Sequence, residues 1–106
     1  MDELFKGAEP APQTEWKLPM VAATESSALN IVISIKSRIR SGQGRSFVID
    51  CKRAVHVSES FIETLINGIC KQEGATLIFV NSFRRIKELG TEISRRYDVG
   101  WLVEYA

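Results

Sequence analysis

The chain holds only two cysteines and one histidine in 106 residues. Cys51 and Cys70 do not make a disulfide framework, and their separation fits neither a zinc ligand pair nor a redox dithiol. Two reduced, buried thiols acting as small hydrophobes are expected. A lone His56 excludes a histidine-rich metal site. A Ser-His-acid triad would need Ser58 or Ser60 to face His56 from the same loop, a geometry that sequence neighbours rarely reach.

An excess of charge of one sign is also lacking. Fourteen Lys and Arg stand against thirteen Asp and Glu, a net charge of +1, so no global field steers nucleic acid or an anionic membrane to the surface. No apolar run approaches the roughly 20 residues that cross a bilayer. The chain's start lacks the charged, apolar and small-residue order of a secretory signal, so a cytoplasmic protein without membrane insertion is expected. No Gly-x-Gly-x-x-Gly or Gly-x-x-x-x-Gly-Lys run follows a candidate strand. A cysteine phosphatase would need an arginine six residues past its nucleophile, where Val57 follows Cys51. No catalytic residue, metal or cofactor is expected, and the chain reads as a non-enzyme.

What is present is the balance of one soluble domain, with 44% apolar and 25% charged residues. Residues 1–15 (MDELFKGAEPAPQTE) hold two prolines, a glycine and few large apolar groups, which predicts a mobile tail. Residues 16–106 form the domain. Trp16 to Ala23 suits a strand that Pro19 confines to an edge or bulge. Glu25 to Arg40 places Ala28, Ile31, Val32, Ile35 and Ile39 on one helical face, with Thr24 or Ser26 as cap. The alternation of Ile31, Ile33 and Ile35 would also suit a strand, but the Gly42-Gln43-Gly44 stop decides for helix.

Ser46 to Cys51 is an apolar, β-branched run that predicts a central strand covered on both faces. Ser60 to Glu73 repeats Phe61, Ile62, Leu65, Ile66, Ile69 and Cys70 with helical spacing, and Gly74 follows as a stop. Ala75 to Asn81 is a second central strand. Ser82 is expected to cap a third helix with Ile86, Leu89, Ile93 and Tyr97 inward, ended by Gly100 before a last strand, Trp101 to Tyr105. Arg84, Arg85, Lys87, Arg95 and Arg96 face water, interleaved with Glu88 and Glu92 at ion-pair spacing, so a phosphate-contacting patch is disfavoured. The alternating order predicts an α/β fold in which parallel strands are joined by right-handed crossovers.

In such sheets ligands sit beyond the carboxyl ends of the strands, which draws attention to Cys51 to Glu63. That segment combines Lys52, Arg53 and His56 with Ser58 and Ser60 at a helix start. Ser60 and Glu63 have capping-box spacing. Ser58 is a competing cap that would put Val57 and Ile62 in the staple positions.

The element order, with FVIDCKRAVHVSESFIETLINGICKQEGATLIFVN, resembles the STAS-like fold of anti-sigma factor antagonists and sulphate transporter tails. The resemblance covers roughly residues 16–106 and implies a mostly parallel four-stranded sheet with three helices. In that family an acidic residue ends a strand and a serine-containing Asp-Ser-Ser-Gly-like turn opens the next helix, places held here by Asp50 and Ser58-Glu59-Ser60-Phe61. Ser58 stands where the family usually has Asp, Glu59 where the phosphorylated serine would be, and Phe61 replaces the glycine. The resemblance implies a regulatory protein-interaction module. Ser58, Glu59 and Ser60 would be its phospho-acceptor or partner-binding positions, with Ser58 or Ser60 as acceptor or Glu59 as a permanent phosphate mimic. Lys52, Arg53 and His56 would contact the partner, a kinase-like ATPase regulator or a transporter component. Competing expectations are a small-ligand or nucleotide site at the same strand ends and a homodimer formed through a sheet edge or helix face.

Overall fold

The computed structural model of the chain describes residues 15–106. The tail expected over residues 1–15 therefore lies outside the described residues up to position 14. Glu15 already pairs with Val48 in a strand. The elements run β1 (Glu15–Lys17), β2 (Val21–Ala22), α1 (Glu25–Arg40), β3 (Ser46–Asp50), β4 (His56–Val57), α2 (Glu59–Leu65), β5 (Thr76–Val80), α3 (Arg84–Arg96) and β6 (Val103–Tyr105). A π-helical segment, Ile66–Lys71, prolongs α2, and a 3-10 turn, Gly100–Leu102, precedes β6.

β1, β3, β5 and β6 form one parallel sheet in that order. Each strand joins on the same side as the last, so right-handed crossovers bring all three helices to one face. α1 packs on α2, and α2 on α3. Phe47 and Ile49 of β3 and Leu77 and Phe79 of β5 are fully buried, whereas Val48, Ile78 and Val80 between them are only half-buried. The expectation that β3 is covered on both faces is thus corrected: a sheet that never reverses its strand order receives helices on one side only.

The expected strand Trp16 to Ala23 divides in two. The Leu18 N–H still donates to the Asp50 carbonyl at 2.9 Å, but Pro19 has no N–H to continue the ladder. The chain then turns to pair β2 with β4 in a separate two-stranded ribbon, supported by the Val55 N–H on the Met20 carbonyl at 2.8 Å. β1 occupies the sheet edge that Pro19 implied. Trp16 fixes that edge to α1: its indole N–H donates to the Ser34 hydroxyl at 3.0 Å and its ring meets Phe47 edge-on at 5.7 Å.

α1 has the expected bounds, starts at the Thr24 hydroxyl and buries Ala28, Val32 and Ile35. It ends where Gly42 adopts φ 72°, a left-handed conformation that costs a Cβ-free residue nothing. Two expected signals at α3 are corrected. Phe83, not Ser82, occupies the N-cap position, with no side-chain cap; Asn81 at φ 55° turns the chain early, leaving the Ser82 hydroxyl buried without a partner among the described residues. The helix ends at Tyr97, before Gly100. Asp98 takes the left-handed position at φ 59°, while the Val99 N–H returns to the Ser94 carbonyl and the Asp98 N–H to Arg95, so the terminal carbonyls are satisfied two residues early. The last strand shortens accordingly to Val103–Tyr105, and Trp101 stands exposed in the 3-10 turn.

Cys51 and Cys70 are both free and buried. Burial pushes each thiol up to about 12, far above its ordinary value, with the Asp50 charge adding to the effect at Cys51. A folded-state pKa above the unfolded one stabilises the fold below about pH 9 and ceases to do so as pH rises toward about 12. At pH 8 both thiols are protonated and covered, so an aromatic disulfide reagent is expected to label them only after denaturant is added. Immediate labelling of the folded protein would contradict their placement.

Candidate functional site

The carboxyl ends of β1, β3 and β5 and the start of α2 share one rim of the domain. At its centre Ser58 is the N-cap of α2. Its hydroxyl accepts the Phe61 N–H at 3.2 Å and donates to the Ala23 carbonyl at 2.9 Å, while its own N–H donates to the Ala22 carbonyl at 3.0 Å. Val57 and Ile62, the staple positions for that start, are buried. The capping box from Ser60 to Glu63 is therefore not formed, because α2 begins two residues ahead of it.

Ser60 lies in the first turn, exposed, with its hydroxyl 3.2 Å from that of Ser58. The Ser58 proton is committed to Ala23, so Ser60 is the donor of that pair. Of the two serines, Ser58 is occupied in holding the helix start and Ser60 is the accessible hydroxyl. Ser58→Ala removes both a cap and a bond to a backbone carbonyl, an expected loss of about 1–2 kcal/mol in denaturant unfolding. Ser60→Ala is expected to stay within about 0.5 kcal/mol of the parent. Equal losses would contradict this division of roles.

Glu59 is exposed and meets Arg96 of α3 at 3.2 Å. Arg96 also approaches Glu63 at 3.8 Å and Glu92 at 3.5 Å. The hydrogen bond to Glu59 is the main reason the guanidinium is pushed above its ordinary pKa. The Tyr97 hydroxyl donates to Glu63 at 2.7 Å, and that bond raises the tyrosine's pKa. Arg96 and Tyr97 thus tie the end of α3 to the first turns of α2. Helical spacing puts Arg96 on a solvated face with Glu92 and Tyr97 on the inner stripe, and it reveals neither cross-helix contact. They join positions 37 and 34 residues apart, for which spacing along one helix gives no signal.

Beside Ser60, a groove of about 390 Å³ runs between α1 and α2, lined among others by Leu29, Val32, Ser60, Glu63 and Tyr97. Its floor includes Asn67 and Gly68 of the π-helical segment, a local widening that occurs often at functional positions. A Cβ on Gly68 would stand 2.8 Å from Val32 Cγ1, so the absent side chain is what lets α1 and α2 approach here.

Lys52, Arg53 and His56 are exposed on the same rim. His56 belongs to β4, not to a loop, and pairs with Val21. Lys52 and Arg53 occupy the centre of a turn closed by the Ala54 N–H on the Cys51 carbonyl at 3.1 Å. Asp50 Oδ1 accepts from Asn81 Nδ2 at 3.0 Å and from the Lys52 N–H at 3.0 Å. Those two bonds, Asn81 first, hold its carboxyl below the usual carboxylate range. The structure thus brings Ser58, Glu59 and Ser60 together with Arg96 and Tyr97, and gathers Lys52 and Arg53 around Asp50.

Among the described residues no group of three or more His, Cys, Asp or Glu could hold a metal ion, and no helix is long and apolar enough to cross a membrane. Comparison with protein-family models, with curated proteins and with solved structures gives no match.

Proposed function

We propose that the chain is a non-catalytic regulatory module of the STAS-like kind, which docks a protein partner through the first turns of α2 and the adjoining groove against α1. The observation that carries this reading is an exposed Ser60 hydroxyl at the helix start, flanked by the Glu59-Arg96-Glu63 network and opening onto a groove of about 390 Å³. Leu29, 42% exposed at the groove, and Met20 and Val55, 64% and 72% exposed near β2 and β4, offer apolar contact area beside polar groups, the mixture usual in non-obligate interfaces. Glu59, ion-paired with Arg96, stands where the family's phosphorylated serine would be, and Ser60 is the hydroxyl that a kinase can reach. A phosphate there would gain from the free N–H groups of the helix start and be opposed by Glu59 and Glu63. A kinase-like ATPase regulator or a transporter component is the class of partner this surface would serve.

The test is quantitative affinity capture from the native cell with the unmodified chain, Ser60→Asp and Lys52→Glu. At least one protein is expected to be retained about tenfold less by Ser60→Asp, the ratio that roughly 1.4 kcal/mol of lost binding produces. Capture of every protein in equal amounts by all three chains would remove the proposal.

A further inference from the structure

Lys17, Lys52 and Arg53 surround a pocket of about 400 Å³ that Asp50 completes. Lys17 and Asp50 are the last residues of β1 and β3 and are paired in register, so the pocket opens beyond the carboxyl ends of two adjacent parallel strands, where ligands of open α/β sheets bind. The sheet does not reverse its strand order, so it lacks the crevice that holds dinucleotides in doubly wound folds. Side chains must furnish whatever binding occurs here.

The charges are unbalanced. Three cations face one carboxylate, and that carboxylate is turned onto Asn81 Nδ2 and the Lys52 N–H. Among the described residues no ion pair is formed by Lys17, Lys52 or Arg53, whereas Lys36, Arg84, Arg85 and Arg96 each have a carboxylate within 4.0 Å. The turn from Cys51 to Ala54 holds Lys52 and Arg53 next to each other, and the Asp50 carboxylate that attracts Lys17 and Lys52 is a single negative charge against three positive ones. A surplus of two positive charges matches a dianion better than a single carboxylate, and arginine offers the forked geometry suited to a phosphoryl group.

We propose that Lys17, Lys52 and Arg53 form a binding site for a phosphoryl dianion, either free phosphate or the phosphate of a small organic monoester. The site shares Lys52 with the rim tested for docking, but phosphate binding to the isolated chain does not depend on a protein partner. Asp50, locked by Asn81, positions the Lys52 turn and excludes anions from the side of β5.

The experiment is a titration of the full-length, isotope-labelled chain followed by amide and arginine side-chain NMR resonances at low ionic strength and pH 7. The probes are inorganic phosphate and adenosine monophosphate, with sodium chloride at matched ionic strength as reference. Saturable shifts at Lys17, Lys52 and Arg53 are expected with phosphate and not with chloride. The apparent affinity should fall about tenfold or more in Lys52→Gln/Arg53→Gln, whose changed residues are exposed and leave the fold intact. Tighter binding of the nucleotide than of phosphate assigns the site to a phosphorylated organic ligand, and equal binding to the free ion. Shifts that chloride reproduces, or that the double variant retains at full strength, would overturn the proposal.

Discussion

Phe61→Gly is expected to cost about 4–6 kcal/mol, combining the loss of a buried phenylalanine with a glycine in a helix. Phe61 is wholly buried in the core cluster, and the N–H of the same residue is the donor that Ser58 caps. A domain of this size has about 5–15 kcal/mol in total, so the variant should be largely unfolded in mild denaturant. Phe61→Leu, which keeps most of the volume, should lose far less. The Phe61 side chain is therefore structural in consequence, part of what seats α2 in the core. Equal denaturation midpoints for the parent and Phe61→Gly would show that α2 does not seat this residue in the interior.

The approach of α1 to α2 supplies the second large effect. Gly68→Ala places a methyl group against Val32, which is 4% exposed and, being β-branched in a helix, has one strongly preferred rotamer. The neighbour cannot turn aside, so the helices must separate at an expected cost of about 1–3 kcal/mol. Val32→Ala makes room for the added methyl. The double variant should therefore be more stable than the sum of the two single losses implies, by an interaction energy of about 0.5–3 kcal/mol. Additive losses in urea unfolding would mean that the two positions do not touch. Because this contact also floors the groove beside Ser60, Gly68→Ala joins the packing of the core to the shape of the docking surface.

The parts of the fold that were legible in the sequence are those governed by local periodicity and by punctuation. The apolar stripe Ala28, Val32 and Ile35 with Gly42 beyond it defined α1, and Gly74, at φ 66°, marks the end of the α2 segment as expected. Phe47 to Ile49 and Leu77 to Phe79 gave the central strands. The two-residue strand β4 left no trace and β2 was read as the tail of a single strand from Trp16, since an alternation cannot be recognised in two residues and their pairing rests on backbone groups 35 positions apart. Ser82 misled because a capping residue is useful only if the backbone places it at the helix start, and Asn81 turns the chain first. Asp98 in the left-handed conformation ended α3 where glycine was the expected signal.

The candidate site was legible as a segment and not as a geometry. Residues 51–63 drew attention through hydroxyls and cations gathered at a helix start, and the structure separates these into two groups with different surroundings. Ser58 went inward to Ala23 and Phe61, whereas Ser60 stayed in water. Lys52 and Arg53 line one pocket with Lys17 at the end of β1, a neighbour that only the parallel pairing of β1 with β3 provides. Arg96 and Tyr97 entered through the packing of α3 on α2, which no single-element pattern contains.

The most direct measurement of the docking account is amide hydrogen exchange of the chain alone and saturated with the protein whose capture Ser60→Asp weakens. New protection is expected at residues 58–64 and along the α1 turns that line the groove near Leu29, with the outer face of α3 unchanged. Protection confined to the 3-10 turn around Trp101 or to the helix-free face of the sheet, with residues 58–64 exchanging as in the free chain, would contradict it.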